Sequence, residues 1–213
     1  MRIVIFGALG NVGSRVVAEA IARGHDVTAV VRNPARFHDL HPAAKPRAGD
    51  AATFDDVISL SAGQHVAISA TRPAPGRERE LVASTKSLLA GAARTGTRLL
   101  IVGGAATLTI PGTGGKLLDD PHFLPPEYLP IARACADQLE TCRTDSTGVN
   151  WAYLSPPAEL SPGARTGTYR VGKDELLLDT KGDSRISLED LAVALLDEAE
   201  RPRHERVRFT VGY

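Results

Sequence analysis

Residues 1–32 constrain the fold of this 213-residue chain more than any other stretch. Arg2-Ile3-Val4-Ile5-Phe6 is a continuous apolar run of the kind a strand buried on both faces needs. It passes without a gap into Gly7-Ala8-Leu9-Gly10-Asn11-Val12-Gly13. Val12, Val16, Val17, Ala20 and Ile21 then recur at helical spacing, and Gly24 stands where a helix C-terminal glycine belongs. Asp26-Val27-Thr28-Ala29-Val30-Val31 is a second buried strand. Strand, glycine turn, helix and strand make the unit whose helix N-terminus receives a pyrophosphate on backbone amides, with glycines where side chains would block the approach. The spacing is G-x-x-G-x-x-G rather than G-x-G-x-x-G, so the flanking elements carry the expectation more than the bare pattern does. They predict dinucleotide binding by Gly7, Leu9, Gly10, Asn11, Val12 and Gly13; the alternative is a strand-to-helix turn that uses glycine only for geometry.

The residue ending the second strand selects the cofactor. NAD-preferring folds usually place a carboxylate there, accepting from the ribose hydroxyls. This chain has Arg32, and Val31-Arg32-Asn33-Pro34-Ala35-Arg36 offers two guanidinium groups to a 2′-phosphate and no carboxylate to repel it. NADPH is therefore expected over NADH, with Arg32 and Arg36 as its selectors; solvated surface arginines are the alternative.

The alternation continues along the chain. Residues 45–50 read as a short third strand, and Thr53 with Asp56 reads as a capping box for a helix through Val57, Ile58 and Leu60. Asp50, at the ligand side of the sheet, is placed to accept from an adenine amine or to serve as a turn residue. His65–Thr71 is a fourth strand whose end, Ala70 and Thr71, borders the central phosphates and ribose. A helix over about 78–94 and a fifth strand over 99–102 follow, with Gly103 and Gly104 at its exit. The sum is an α/β fold: a Rossmann-like, doubly wound parallel sheet with helices on both faces, ligands beyond the strand ends, in a single domain over 1–213.

From Gly103 to Pro130 the rhythm breaks, and a loop of that length inside a compact domain is usually functional. It leaves the fifth strand where a nicotinamide ring would lie. His122 and Phe123 within it are candidates to line an acceptor pocket. A helix over about 127–144 carries Cys135 and Cys142, read as core thiols rather than metal ligands or a disulfide. Asn150–Leu154 is a sixth strand that holds Trp151 in packing and ends at Ser155-Pro156-Pro157. Residues 167–171 and 175–178 suggest a small hairpin or paired edge strands on the substrate side of a C-terminal extension. Ser187-Leu188-Glu189-Asp190 is a second capping box, and 207–211 a last strand.

Composition narrows the partners. Lysine plus arginine equals aspartate plus glutamate at 25 each, so no electrostatic case for nucleic acid or an anionic membrane exists. The first strand begins at once and no apolar run approaches a membrane span, so a cytoplasmic protein, monomer or homodimer, is expected.

The segments GALGNVG, VRNP, GD at Asp50, IVGGA, WAYLSP, DSRISLEDLAVALLDE and RFTVGY together resemble the atypical short-chain dehydrogenases with a single NAD(P)-binding domain. That group includes bacterial NADH-flavin reductase-like proteins and biliverdin reductase B. The resemblance spans nearly the whole chain. It implies NADP(H) across the strand ends: Gly7, Gly10 and Gly13 on the pyrophosphate, Arg32 on the 2′-phosphate, Asp50 on the adenine, the Gly103-Gly104 loop beside the nicotinamide, and Ser155-Pro156 over the ring.

Two departures bear on chemistry. Relatives commonly carry a serine after GGA, where this chain has Ala106 and then Thr107, leaving the Thr107 hydroxyl as substitute. Larger dehydrogenases pair a catalytic tyrosine with a lysine four residues on, whereas Tyr128 is followed by Ala132. A Tyr-Lys proton relay is therefore absent. Flavins and quinones need less help, because their reduced forms are delocalised and solvent delivers the proton. The expectation is an NADPH-dependent reductase of a flavin- or quinone-like small molecule, working by positioning, with Thr107 and Tyr128 as candidate catalytic groups. The alternatives are a dinucleotide-binding redox sensor of the nitrogen-metabolite-repression type and, less favoured, a sugar-nucleotide epimerase or dehydratase.

Overall fold

The computed structural model describes residues 1–121 and 123–213. Its main sheet runs β3-β2-β1-β4-β5-β6-β10-β8. The strands are β1 (Arg2–Phe6), β2 (Asp26–Val31), β3 (Lys45–Ala48), β4 (Val66–Ser69), β5 (Arg98–Val102), β6 (Trp151–Ser155), β8 (Arg170–Gly172) and β10 (Val207–Gly212). All pairings are parallel except β8 against β10. The order reverses between β1 and β4, so the crevice for a ligand opens there, beyond the strands' carboxyl ends.

Alternation along each buried strand sends side chains into two cores. Ile3 and Ile5 of β1 face α1 (Asn11–Ala22) and α5 (Leu188–Glu200), packing with Val16, Val17, Leu191 and Leu195. Val4 and Phe6 face the other way, toward α2 (Phe54–Ser61), α3 (Glu80–Thr95) and α4 (Leu129–Arg143), with Val57, Leu88 and Leu139. Trp151 is buried in this second core, as its place in a strand implies.

Residues 167–178 form no hairpin; of the two readings open for them, only the first segment becomes a paired edge strand. Val171 pairs antiparallel with Val211 at the open edge of β10, and the Leu176 amide donates to Thr109 O at 2.8 Å. Leu176 instead joins Leu108 and Leu117 in a small core beneath the 103–128 loop, with Phe123, Leu124 and Leu178 against it. An open sheet edge and a loop needing apolar cover each outcompete a turn of Gly172-Lys173-Asp174. The extension also contains β7 (Glu159–Ser161), which pairs in parallel with β9 (Arg185–Ser187). Thr53 stands at the N-cap of α2 but makes no side-chain cap, because Asp56 turns back to accept from the Asp50 amide at 2.9 Å. The second capping position does form: Ser187 Oγ accepts from the Asp190 amide at 3.0 Å.

Candidate functional site

The glycines of the first turn divide their work. Gly7 has φ +81°, and a Cβ there would lie 2.6 Å from Ala70 O, so the turn at the end of β1 must be glycine to pass the end of β4. A Cβ on Gly13 would lie 2.0 Å from Gly7 O, which fixes the helix directly on the strand exit. Gly10 is different. It is exposed, its φ of −72° suits any residue, and a Cβ would be 3.3 Å from Gly7 O. The fold tolerates a side chain there far better than at Gly13, and the bare backbone at Gly10 leaves room for a ligand's close approach. No side chain caps α1, and no acidic residue stands in its first turn, leaving the amides around Asn11, Val12 and Gly13 for an anion. Leu9 is half-buried and packs on the α1/α5 core. The cradle therefore fits a pyrophosphate.

At the far side, the Gly49 amide donates to Val31 O at 3.2 Å, which sets Arg32 and Asp50 side by side at the ends of β2 and β3. Arg32 is exposed and makes no hydrogen bond or ion pair among the described residues. Arg36 is committed: its Nε donates to Asp39 Oδ2 at 2.8 Å. A carboxylate thus does stand near the VRNPAR segment, although not within it. Asp50 Oδ1 accepts from the Ala52 amide at 2.9 Å, a turn role that keeps its carboxylate at the crevice.

Toward the center, Ser69 and Thr71 hydroxyls lie 3.1 Å apart, and Ala70 O sits against Gly7. The Gly103 amide donates to Leu154 O at 2.9 Å, so Gly103-Gly104 and Ser155-Pro156 leave neighbouring strands together. Ser155 Oγ is fully buried at the end of β6 with no partner, an unspent polar atom in the region expected to cover the nicotinamide.

Two side chains that sequence reasoning missed control the exit of β5. Tyr153, fully buried, occupies the space where Gly103 would carry a Cβ, at 1.8 Å from Tyr153 Cζ. Its hydroxyl accepts from the Gly104 amide at 3.2 Å and lies 3.0 Å from Cys135 O and 3.1 Å from Gln138 Oε1, to which it donates. Burial pushes the phenol well above its ordinary pKa, so it remains a donor. Arg208, paired in register with Tyr153 across β10 and β6, faces the same way. Its Nη1 donates to Thr107 Oγ1 at 2.7 Å, and its Nε donates to Asp174 Oδ1 at 2.9 Å, with a second contact from Nη2. A charged residue inside the Val207–Gly212 strand was the available signal.

Tyr128 is 49% exposed at the start of α4 and its side chain touches no polar partner among the described residues. Ala132 confirms that no lysine lies one turn on. Phe123 is half-buried in the loop's own core, and His122 lies outside the described residues. Cys135 and Cys142 are free; burial pushes their thiols up to about 11 and about 12, which keeps them protonated and unreactive. Among the described residues no cluster of His, Cys, Asp and Glu is arranged for a metal, and no helix is long and apolar enough to cross a membrane.

The NAD(P)H-binding family model matches residues 7–202. The chain is 40% identical over 215 residues to the "uncharacterized protein YwnB" of Bacillus subtilis, covering 99% of this chain and 98% of the relative. A solved structure of a "putative NADH-flavin reductase" from Streptococcus pneumoniae is 34% identical with a TM-score of 0.85, covering 100% of this chain and 99% of that one. A "putative epimerase" from Bacteroides thetaiotaomicron is 37% identical with a TM-score of 0.89, covering 100% and 96%. With its strand-end cradle, its sheet order and these relatives, the chain belongs to the NAD(P)H-binding family, in the atypical short-chain dehydrogenase group that its motifs resemble.

Proposed function

We propose that the protein is an NADPH-dependent reductase that delivers hydride to a conjugated acceptor such as a flavin or quinone. One observation supports it most: the strand-end crevice carries a nucleotide cradle but no Tyr-Lys pair among the described residues, since Tyr128 is largely exposed and Ala132 takes the lysine's place. Such a site suits acceptors whose reduction needs no proton relay. The same substitution weighs against the epimerase that one relative's name suggests, and the flavin reductase named for another agrees with the reading.

NADPH, when bound, supplies the hydride. The chain's own contribution is placement. Gly10 and the α1 amides take the pyrophosphate, and Arg32, exposed and uncommitted, pairs with the 2′-phosphate. That relative's name specifies NADH, but the arginine ending β2 favors the phosphorylated cofactor in this chain. Asp50 reaches the adenine, Ala70 and Thr71 border the ribose, and Gly103, Gly104, Ser155 and Pro156 enclose the nicotinamide end and exclude water from it. Thr107 and Tyr128 stand on the acceptor side, Phe123 backs that side from the core of the loop, and His122, a further candidate for the acceptor pocket, lies outside the described residues. A small-molecule acceptor and a cytoplasmic monomer or homodimer complete the reading.

Steady-state oxidation of NADPH with FMN, riboflavin and a small quinone offered separately tests it. Turnover with at least one acceptor is expected. Saturable NADPH binding without oxidation overturns the reductase and makes the protein a dinucleotide sensor.

A further inference from the structure

The Arg208 contact changes what Thr107 can do. Arginine has donors only, so the bond at 2.7 Å makes Thr107 Oγ1 the acceptor and occupies one of its lone pairs. The threonine proton must then point elsewhere, and no acceptor takes it among the described residues. Thr107 is half-buried in the loop that leaves β5 at the crevice. A hydroxyl whose oxygen is polarised by a buried cation is a stronger donor than a free one.

The arrangement is held on every side. Arg208 is only 8% exposed, and its remaining nitrogens are fastened to Asp174. Asp174 is fixed in turn by its backbone: its carbonyl accepts from the Thr109 amide at 2.9 Å and from Thr109 Oγ1 at 3.1 Å. Thr107 and Thr109 therefore lie on one stretch of loop pinned by two neighbours, Arg208 and Asp174. A buried guanidinium is costly unless it is paired, and here the pairing includes a neutral hydroxyl beside the Asp174 carboxylate.

We infer that Arg208 is a positioning residue that makes Thr107 a directed hydrogen-bond donor to a carbonyl oxygen or ring nitrogen of the acceptor. The inference rests on the reductase reading for the acceptor's identity. In the overall reaction, two electrons and one hydrogen pass as hydride from the dihydronicotinamide of NADPH to the acceptor, and a solvent proton completes its reduction. Thr107 donates a hydrogen bond to the atom on which negative charge grows and gives up no proton itself.

The test uses FMN, first without any nicotinamide, by quenching of its fluorescence, then in NADPH turnover. Thr107→Val is expected to weaken FMN binding about fivefold and lower kcat at least tenfold, with NADPH affinity unchanged; Thr107→Ser restores both to within about threefold. Arg208→Gln lowers kcat on the Thr107 background but adds less than twofold to Thr107→Val. Asp174→Asn is the milder second variant: the Asp174 side chain is 64% exposed and asparagine keeps an oxygen to accept from Arg208, so the guanidinium keeps a partner while its anchor loses its charge. A Thr107→Val protein that binds and reduces FMN within twofold of the parent overturns the inference and leaves the reductase standing. Effects of Arg208→Gln or Asp174→Asn that add in full to Thr107→Val overturn it as well, showing that Arg208 acts on the fold. FMN bound in the expected pattern across these variants, with no oxidation of NADPH by the parent, leaves the donor role intact and refutes the reductase alone.

Discussion

Replacing Arg32 with glutamate separates the two nicotinamide cofactors. The guanidinium is exposed and has no partner among the described residues, so removing it breaks no hydrogen bond or ion pair there. The proposed contact with a 2′-phosphate would be a charge-assisted hydrogen bond at the surface, worth about 1.5 kcal/mol. Reversing the sign adds repulsion. Two unit charges about 5 Å apart in a water-like dielectric repel by about 0.8 kcal/mol, and a phosphate carrying about 1.5–2 charges brings that to roughly 1.5 kcal/mol. The total is about 3 kcal/mol, on the order of 100-fold in Kd for NADPH. NADH lacks the phosphate, and its Kd is expected to move less than about threefold. Titration calorimetry of both cofactors at low ionic strength reads the difference, and added salt shrinks it because the pair is solvent-exposed. Equal losses for NADPH and NADH refute the assignment, since a charge reversal that acts on both has altered the cradle rather than the selector. Arg36→Ala is the internal comparison. Its guanidinium is already paired with Asp39, so it costs NADPH less than Arg32→Ala does.

Three further outcomes follow from the same geometry. Gly10→Ala folds with a stability loss below about 1 kcal/mol yet weakens NADPH at least tenfold, whereas Gly13→Ala, with its Cβ 2.0 Å from a backbone carbonyl, loses about 3 kcal/mol or more in denaturant titrations. Tyr153→Phe strips partners from the Gly104 amide and Gln138 and costs about 1–3 kcal/mol in the same assay, so an unchanged midpoint contradicts the role given to that hydroxyl. In acid, burial acts to raise the Asp190 and Glu198 carboxyls. Hydrogen bonds from Thr166, Gly167 and Tyr213 to Asp190, and from His204, Arg203 and Arg98 to Glu198, win and hold both below their ordinary 3.8 and 4.5. Lowered folded values mean stability that is fully present above the ordinary ones and lost as the pH falls through the lower folded ones. Unfolding free energy measured from neutral pH downward should be level and then fall across that window; a rise there contradicts the sign.

The first βαβ unit was legible because its demands are local: a strand buried on both faces needs an unbroken apolar run, and Gly7 and Gly13 answer clashes with residues close by or at the next strand end. Ser187 announced its helix for the same reason. Thr53 did not, since Asp56 had a better donor in the Asp50 amide, six residues back and outside the helix. The 167–178 stretch was misread because its short apolar segments find partners only through tertiary structure, Val171 at the free edge of β10 and Leu176 under the loop. The placement of Arg32, Asp50, Thr71 and Gly103 just beyond strand ends was readable from position alone. Tyr153 and Arg208 were not: each looks like strand filler until the register of β6 and β10 turns both toward the loop after β5. Arg36 shows the converse, a residue whose charge was plain and whose partner, Asp39, was three residues away on a short 3-10 turn.

The central claim is that this crevice moves hydride from NADPH to a conjugated acceptor. Its most direct test is anaerobic single turnover: protein saturated with NADPH is mixed with FMN or a small quinone, and the loss of nicotinamide absorbance is compared with a protein-free control, with C4-deuterated NADPH run alongside. The account predicts decay at least a hundredfold faster than the control, slower with NADH, and slowed further by deuterium. Decay no faster than the control in protein that demonstrably holds NADPH contradicts it.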